Sequence, residues 1–256
     1  MFLHITKKMD LLEQEKITSQ NFKRHPWELA RYKVLHFFLK KIPSKNFIVD
    51  IGSGDAYIAK ELSKIYSGSG ILAVDPNYDD EFLAKNEGAR LVFSKAIEDI
   101  DSTQTVNVIL LMDVLEHIQH PEEVLQEIKK LPNVSPSTQL FITVPAFQNL
   151  FSEHDTFLKH FRRYNRKQLI QLLHQSGFEI EQSGYFFFSL LLPRVFEKIL
   201  GIKPKIGLHN WSGNSFTTSI ITTLLWIDFK ICWYLSRIGI HLPGLSCYCI
   251  CYPLPS

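Results

Sequence analysis

The chain has 256 residues, 45% hydrophobic and 21% charged, which suits one α/β domain with an added element and a sizeable core. A formal charge of +2 offers no broad cationic footprint, so nucleic acid is not an expected partner. The opening "MFLHITKKMD" turns charged too soon for the apolar stretch of a secretory leader, and the expected location is the cytoplasm.

Helix and strand patterns then alternate along the chain. Residues 26–41, "PWELARYKVLHFFLKK", predict an amphipathic helix opened by a proline. "NFIVDI" predicts a first strand, residues 55–66 a helix, "GILAVD" a second strand and "ARLVFS" a third. "VNVILLMD" is almost continuously apolar, as a strand covered on both faces should be. "PEEVLQEIKK" follows as a helix, with acids in its first turn and lysines in its last. "QLFITVP" reads as a fifth strand, and "NRKQLIQLLHQSGF" as a helix capped by Asn165 and stopped at Gly177. "FEIEQSGYFFF" begins a sixth strand, and "LPGLSCYCICYP" reads as a final one. This order predicts a doubly wound, mostly parallel Rossmann-like α/β sheet with its ligand at the carboxyl ends of the strands.

The four cysteines fall late, and Cys247, Cys249 and Cys251 share one face of the final strand. Same-face neighbours stand about 6.6 Å apart and no His or acid lies close by, so the reading is buried thiols and no metal site.

The chemistry starts at "FIVDIGSGDAYIAKEL", residues 47–62, where a strand, a glycine turn and a helix follow one another directly. A dinucleotide fingerprint needs a third glycine for close helix packing, and Tyr57 stands there instead. No G-K-[ST] follows, so a phosphate-binding P-loop fails as well. What remains is D-x-G-x-G, formed by Asp50, Gly52 and Gly54, with Asp75 closing the second strand 21 residues past Gly54.

This spacing resembles the first motif of the class I S-adenosylmethionine-dependent methyltransferases. The resemblance implies S-adenosyl-L-methionine as cofactor, with the glycine turn under its methionine and ribose portion. Asp50 would meet the amino group and Asp75 the ribose hydroxyls. "LLMDVLEHI" is similar to the fourth-strand end of the branch acting on small molecules, known from quinone and lipid methylation. By that likeness Asp113 lies beside the methionine, with Glu116 and His117 at the rim of the pocket. Neither D-P-P-Y nor N-P-P-[YF] follows this strand, which further disfavours a nucleic-acid substrate. The sequence departs from the family at Ala56, in place of a third glycine, and at "SKA", where the turn meeting the adenine often carries an Asp. Lys95 stands at that position, and Glu98 or Asp99 is the expected substitute. The front helix, with "RHPWELAR", is similar to one that folds over the cofactor, which would bring His25, Trp27 or Arg31 near it. The alternative is a packed Trp27 and a solvated Arg31.

The expected acceptor site is residues 144–166, "VPAFQNLFSEHDTFLKHFRRYNR", directly after the fifth strand. Polar residues bunched on a loop above the sheet point to function. His154 is the expected general base or acceptor anchor, Asp155 or His160 the residue orienting the site, and Arg162 with Arg163 a fork for a carboxylate or phosphate. The segment looks like an H-D…H-x-R-R-Y signature in bacterial members of the family.

Residues 185–256 carry six basic and two acidic side chains, a net +4 that leaves −2 for the rest. Residues 216–235 are long enough to span a bilayer, but Asp228, Lys230 and the Ser/Thr cluster argue against it. On a helix, Ile220, Leu224, Ile227, Ile231 and Leu235 form one stripe, expected to pack on the domain. Trp226, Phe229 and Trp233 form another, left for a lipid interface, a second subunit in a homodimer or a greasy acceptor, unless it is sandwiched within the chain.

The expected organisation is a helical cap at residues 1–45, a cofactor-binding core at 46–188, and an apolar helical insertion plus final strand at 189–256. The expected function is methyl transfer to a small lipophilic acceptor, at oxygen, with peripheral contact at the inner face of a membrane. The alternative is a non-catalytic nucleotide-binding sensor or membrane-associated scaffold on the same fold.

Overall fold

The computed structural model describes residues 23–86, 88, 90–100, 104–202 and 211–255; the opening "MFLHITKKMD" lies outside them. Its elements are α1 (Pro26–Leu39), β1 (Phe47–Ile51), α2 (Tyr57–Ile65), β2 (Gly70–Val74), α3 (Asp80–Asn86), β3 (Leu91–Ser94), β4 (Val108–Met112), α4 (Pro121–Lys130), β5 (Gln139–Pro145), α5 (Glu153–Phe157), α6 (Arg166–Gln175), β6 (Phe178–Phe186), α7 (Phe188–Ile199), α8 (Ser215–Arg237) and β7 (Ser246–Pro253).

The seven strands form one sheet in the order β3-β2-β1-β4-β5-β7-β6. β1 to β5 pair in parallel, while β7 runs antiparallel to both β5 and β6. The order reverses between β1 and β4, so their carboxyl ends open the crevice in which such sheets hold ligands. Side chains alternate across each strand and divide the core in two. Val49, Ile51, Ile109 and Leu111 pack under α4 and α6 through Leu125, Ile128, Leu169 and Leu173. Ile48, Ala73, Leu110 and Phe141 pack under α1, α2 and α8 through Leu35, Phe38, Leu62, Leu225 and Phe229. Every residue of β4 is buried, as its apolar run predicts for the strand nearest the centre. Cys247, Cys249 and Cys251 face the first of these cores as free thiols.

The C-terminal helices differ from expectation in two ways. First, the sixth strand ends at Phe186, and α7 follows after Phe187 adopts φ +67°. The cap of α7 comes from forty residues ahead: the amides of Phe188 and Ser189 donate to the Asp228 carboxylate at 3.1 and 2.7 Å. Asp228 therefore has a structural task in the apolar helix that carries it.

Second, α8 docks by the face opposite to the one expected. Phe37 on α1 meets Trp226, Phe229 and Trp233 with ring centroids 5.7, 5.5 and 5.0 Å away. Aromatic rings on α1 match aromatic rings on α8, so this stripe is core. The aliphatic stripe is exposed instead: Ile220, Leu224, Ile227 and Ile231 are all open to solvent. No helix among the described residues is long and apolar enough to cross a membrane.

Candidate active site

The glycine turn is fixed from below and open above. Gly52 has φ +68°, and a Cβ there would come within 2.6 Å of Val114, so the position admits only glycine. Its amide donates to the Val74 carbonyl at 2.8 Å, which stitches the turn to β2. Gly54, at φ +53°, has nothing within 4 Å of where a Cβ would lie. The Gly54 amide donates to Asp75 Oδ2 at 2.9 Å, while Asp75 Oδ1 accepts from the backbone and side-chain nitrogens of Asn77, each at 2.9 Å. Asp75 thus holds the turn and keeps its carboxylate at the end of β2.

Asp50 is 1% exposed, and its Oδ2 has no hydrogen-bond partner. Burial, then the negative charge of Asp75, pushes its carboxyl up to about 8. Tyr57 takes the place of the missing third glycine; its ring carries the Arg24 guanidinium at 3.9 Å, and Arg24 also pairs with Asp55 and Glu28.

At the end of β4, Asp113 adopts φ +56°. The Thr143 hydroxyl donates to its Oδ1 at 2.8 Å, and Arg31 Nη1 lies 2.7 Å from its Oδ2. Arg31 also sits under the Trp27 ring at 5.2 Å, so it is not the solvated side chain of the alternative reading. His25 instead caps α1, its Nδ1 accepting from the Trp27 amide at 3.3 Å. At the turn after β3, Lys95 pairs with Asp80 at 2.6 Å, Asp99 accepts from the Ser94 hydroxyl, and Glu98 is exposed.

The loop after β5 is organised by Asp155, which is fully buried. Its Oδ1 meets His160 Nδ1 at 3.0 Å and Arg163 Nε at 2.7 Å; its Oδ2 meets Arg163 Nη2 at 3.1 Å and the Ser152 amide at 2.9 Å. Burial alone would raise this carboxyl, but the hydrogen bonds from His160 and Arg163 and the guanidinium charge hold it well below the usual range. Asp155 has both oxygens engaged, as the orienting residue expected here would. Arg163 is no open fork for an anion, because its guanidinium is buried against Asp155 and the Ala146 carbonyl. Arg162 donates to the Gln119 carbonyl at 2.7 Å at the rim. His154, on α5, is partly buried; its Nδ1 has no partner, and burial holds its pKa below the ordinary value.

His117 and His160 meet edge to face, centroids 4.6 Å apart. Beside them Glu116 is fully buried with neither carboxylate oxygen hydrogen-bonded. Burial, then the nearby Asp113 charge, pushes Glu116 well up; burial, then His160, pushes His117 down to about 4. The sequence names all three residues, but their meeting depends on the Phe161 amide donating to the Glu116 carbonyl at 2.8 Å, a contact no local spacing reveals.

Residues 22–183 match the family model described as a methyltransferase domain. No curated protein matches the chain. Among solved structures it is similar to an S-adenosylmethionine-dependent methyltransferase from Archaeoglobus fulgidus, at 17% identity and TM-score 0.53, over 94% of this chain and 98% of that one. It is also similar to the plantazolicin methyltransferase BamL in complex with a triazolic desmethylPZN analog and SAH, at 12% identity and TM-score 0.56, over 96% and 90% of the two chains. The cyclase SpnF shares the fold at 13% identity and TM-score 0.54, over 93% and 86%.

The chain belongs to the methyltransferase-domain family and has its Rossmann-like fold, and the cofactor that this family and fold imply is S-adenosylmethionine. The residues present fit that cofactor: Gly54 leaves room for it, and an orphaned buried Asp50 oxygen awaits a donor.

Proposed function

We propose that this enzyme methylates a hydroxyl group of a small lipophilic acceptor drawn from a membrane surface. In this reading residues 46–188 hold the cofactor, and 189–256 form the membrane-facing wall of the acceptor site. Asp50, Gly52, Gly54 and Asp75 would hold S-adenosylmethionine, with Asp113 at its methionine end. When bound, it supplies an electrophilic methyl group on a sulfonium.

The chain's own task is then to orient the acceptor, exclude water and remove one proton. His154 suits the last: its depressed pKa leaves the imidazole neutral at pH 7, and a turn of the ring would bring its buried, unpartnered Nδ1 to the acceptor hydroxyl. Arg162 stands at the rim, where a polar part of the acceptor would rest.

The observation that carries the acceptor class is the apolar surface next to this loop. α7 packs on the turn Gln148–Leu150 that leads into α5. Its Leu192, Val195, Phe196 and Ile199 recur at helical spacing and are all exposed, alongside the exposed stripe of α8. Patches of this kind mark an interaction surface. Exposed Lys198 and Arg237 flank it, while Glu197 is paired with Arg194 and Asp228 is committed to its cap. Apolar residues edged by unopposed basic ones match an anionic lipid surface.

The test is transfer of labelled methyl from S-adenosylmethionine into extracted lipids, with flotation on vesicles carrying anionic lipid. Label in an ether or ester product, lost about 10²–10⁴-fold in rate in His154→Ala with cofactor affinity kept, is the expected result. Label confined to water-soluble amines, or a homodimer that buries α7 and α8 and does not float, would overturn it.

A further inference from the structure

We propose that Glu116, His117 and His160 form a binding site for one divalent transition-metal ion at the acceptor end of the pocket. One donor atom from each residue lies within 4.8 Å of the others. Donors sharing an ion at about 2.1 Å cannot stand more than about 4.2 Å apart, so closure needs a small side-chain rotation and no backbone change.

Three features separate this cluster from a chance meeting of polar groups. Glu116 is fully buried, yet neither oxygen accepts a hydrogen bond. A carboxylate in that position has an unmet need that a cation answers. Next, His160 is aimed: Asp155 holds its Nδ1 at 3.0 Å, and Arg163 and Ser152 hold Asp155 in turn. A carboxylate fixing one imidazole nitrogen, so that the other presents its lone pair, is the usual outer support of a metal-bound histidine. Last, the two rings cross at 85°, and the hydrogen bond from Phe161 to the Glu116 carbonyl ties together the segments that carry them.

Two imidazoles and one carboxylate suit zinc, manganese, iron(II), cobalt(II) or nickel, and leave coordination positions open. An acceptor oxygen entering one of them would lose its proton more readily. That last step rests on the methyl-transfer reading; the ion site itself does not.

The test uses the full chain, stripped with a chelator and titrated with Co²⁺ alone. Calorimetry should find one ion per chain, and the visible spectrum should gain the absorption of cobalt bound through nitrogen. Glu116→Gln keeps the size of the buried side chain and should weaken binding at least tenfold, as should His160→Gln. Calorimetry with S-adenosylhomocysteine should give the same affinity for the stripped wild type and Glu116→Gln, showing that the fold and cofactor site persist. Failure to bind S-adenosylhomocysteine strikes the methyltransferase reading and leaves the ion site standing. The ion site is overturned if stripped protein takes up no Co²⁺, or if both variants bind it as wild type does.

Discussion

Arg31 on α1 and Asp113 at the end of β4 are joined at 2.7 Å, a contact across 82 positions that pins the front helix to the carboxyl end of the sheet. Thr143 holds the other Asp113 oxygen, so the carboxylate is clamped from the sheet and from the helix. Arg31→Met removes one side of the clamp while keeping the stem over Trp27. Loss of a hydrogen bond to a charged group is worth about 1.5–3 kcal/mol, so S-adenosylhomocysteine affinity should fall roughly tenfold or more. Calorimetry on the variant decides; unchanged affinity would make α1 a structural helix only.

Asp50 should give cofactor binding a pH dependence. Its folded pKa of about 8 lies above the unfolded value, so its contribution to stability is complete below about pH 4 and is lost as pH rises toward 8. A cationic amino group selects the ionised form, so affinity should rise with pH up to about 8. Asp50→Asn should bind more weakly and lose that part of the slope. Dissociation constants of both proteins between pH 6 and 9 test this, and parallel slopes would contradict it.

Asp155 should behave in the opposite sense. Its folded pKa lies below the unfolded value, so its stabilisation is present above about pH 4 and lost as pH falls further. Removing one partner of a buried pair costs about 3–5 kcal/mol, roughly 10 °C in Tm for a chain of this size. Asp155→Asn should show that loss at pH 7, with the gap to wild type narrowing toward pH 3. A constant gap would mean that packing, not charge, accounts for the effect.

The two faces of α8 should separate cleanly. Phe229 is fully buried between Phe37, Phe38 and Trp226, so Phe229→Ala should cost about 3–5 kcal/mol. Replacing Ile220, Leu224 and Ile231 together by serine should leave Tm within a few degrees and abolish vesicle flotation. Comparable unfolding from both sets would mean that the aliphatic stripe is also buried, against a second copy of the chain.

What was legible in the sequence was local. The turn at Asp50, Gly52 and Gly54 and the acid at Asp75 follow from spacing within one βαβ unit, and the helix start at Pro121 and the cap at Asn165 follow from local residues. Contacts between distant segments were not legible. Either stripe of α8 is apolar enough to be core, and Phe37 with Phe38, about 190 residues earlier, decides which one is. α7 has no N-cap of its own to read, because Asp228 supplies it. Arg163 reads as a free cation until the fold closes Asp155 onto it, eight residues away. The orphaned carboxylate of Glu116 is visible only once its surroundings are.

The most direct test of the central claim is calorimetry of S-adenosylhomocysteine binding to the wild type and to Asp75→Ala. Asp75 lies buried beside the open Gly54 turn, accepting from Gly54 and Asn77, and there two ribose hydroxyls would compete for its oxygens. Losing both is worth about 3 kcal/mol, so binding at micromolar strength in the wild type should weaken about a hundredfold in the variant. No binding to the wild type, or binding of NADH in its place, would contradict the account.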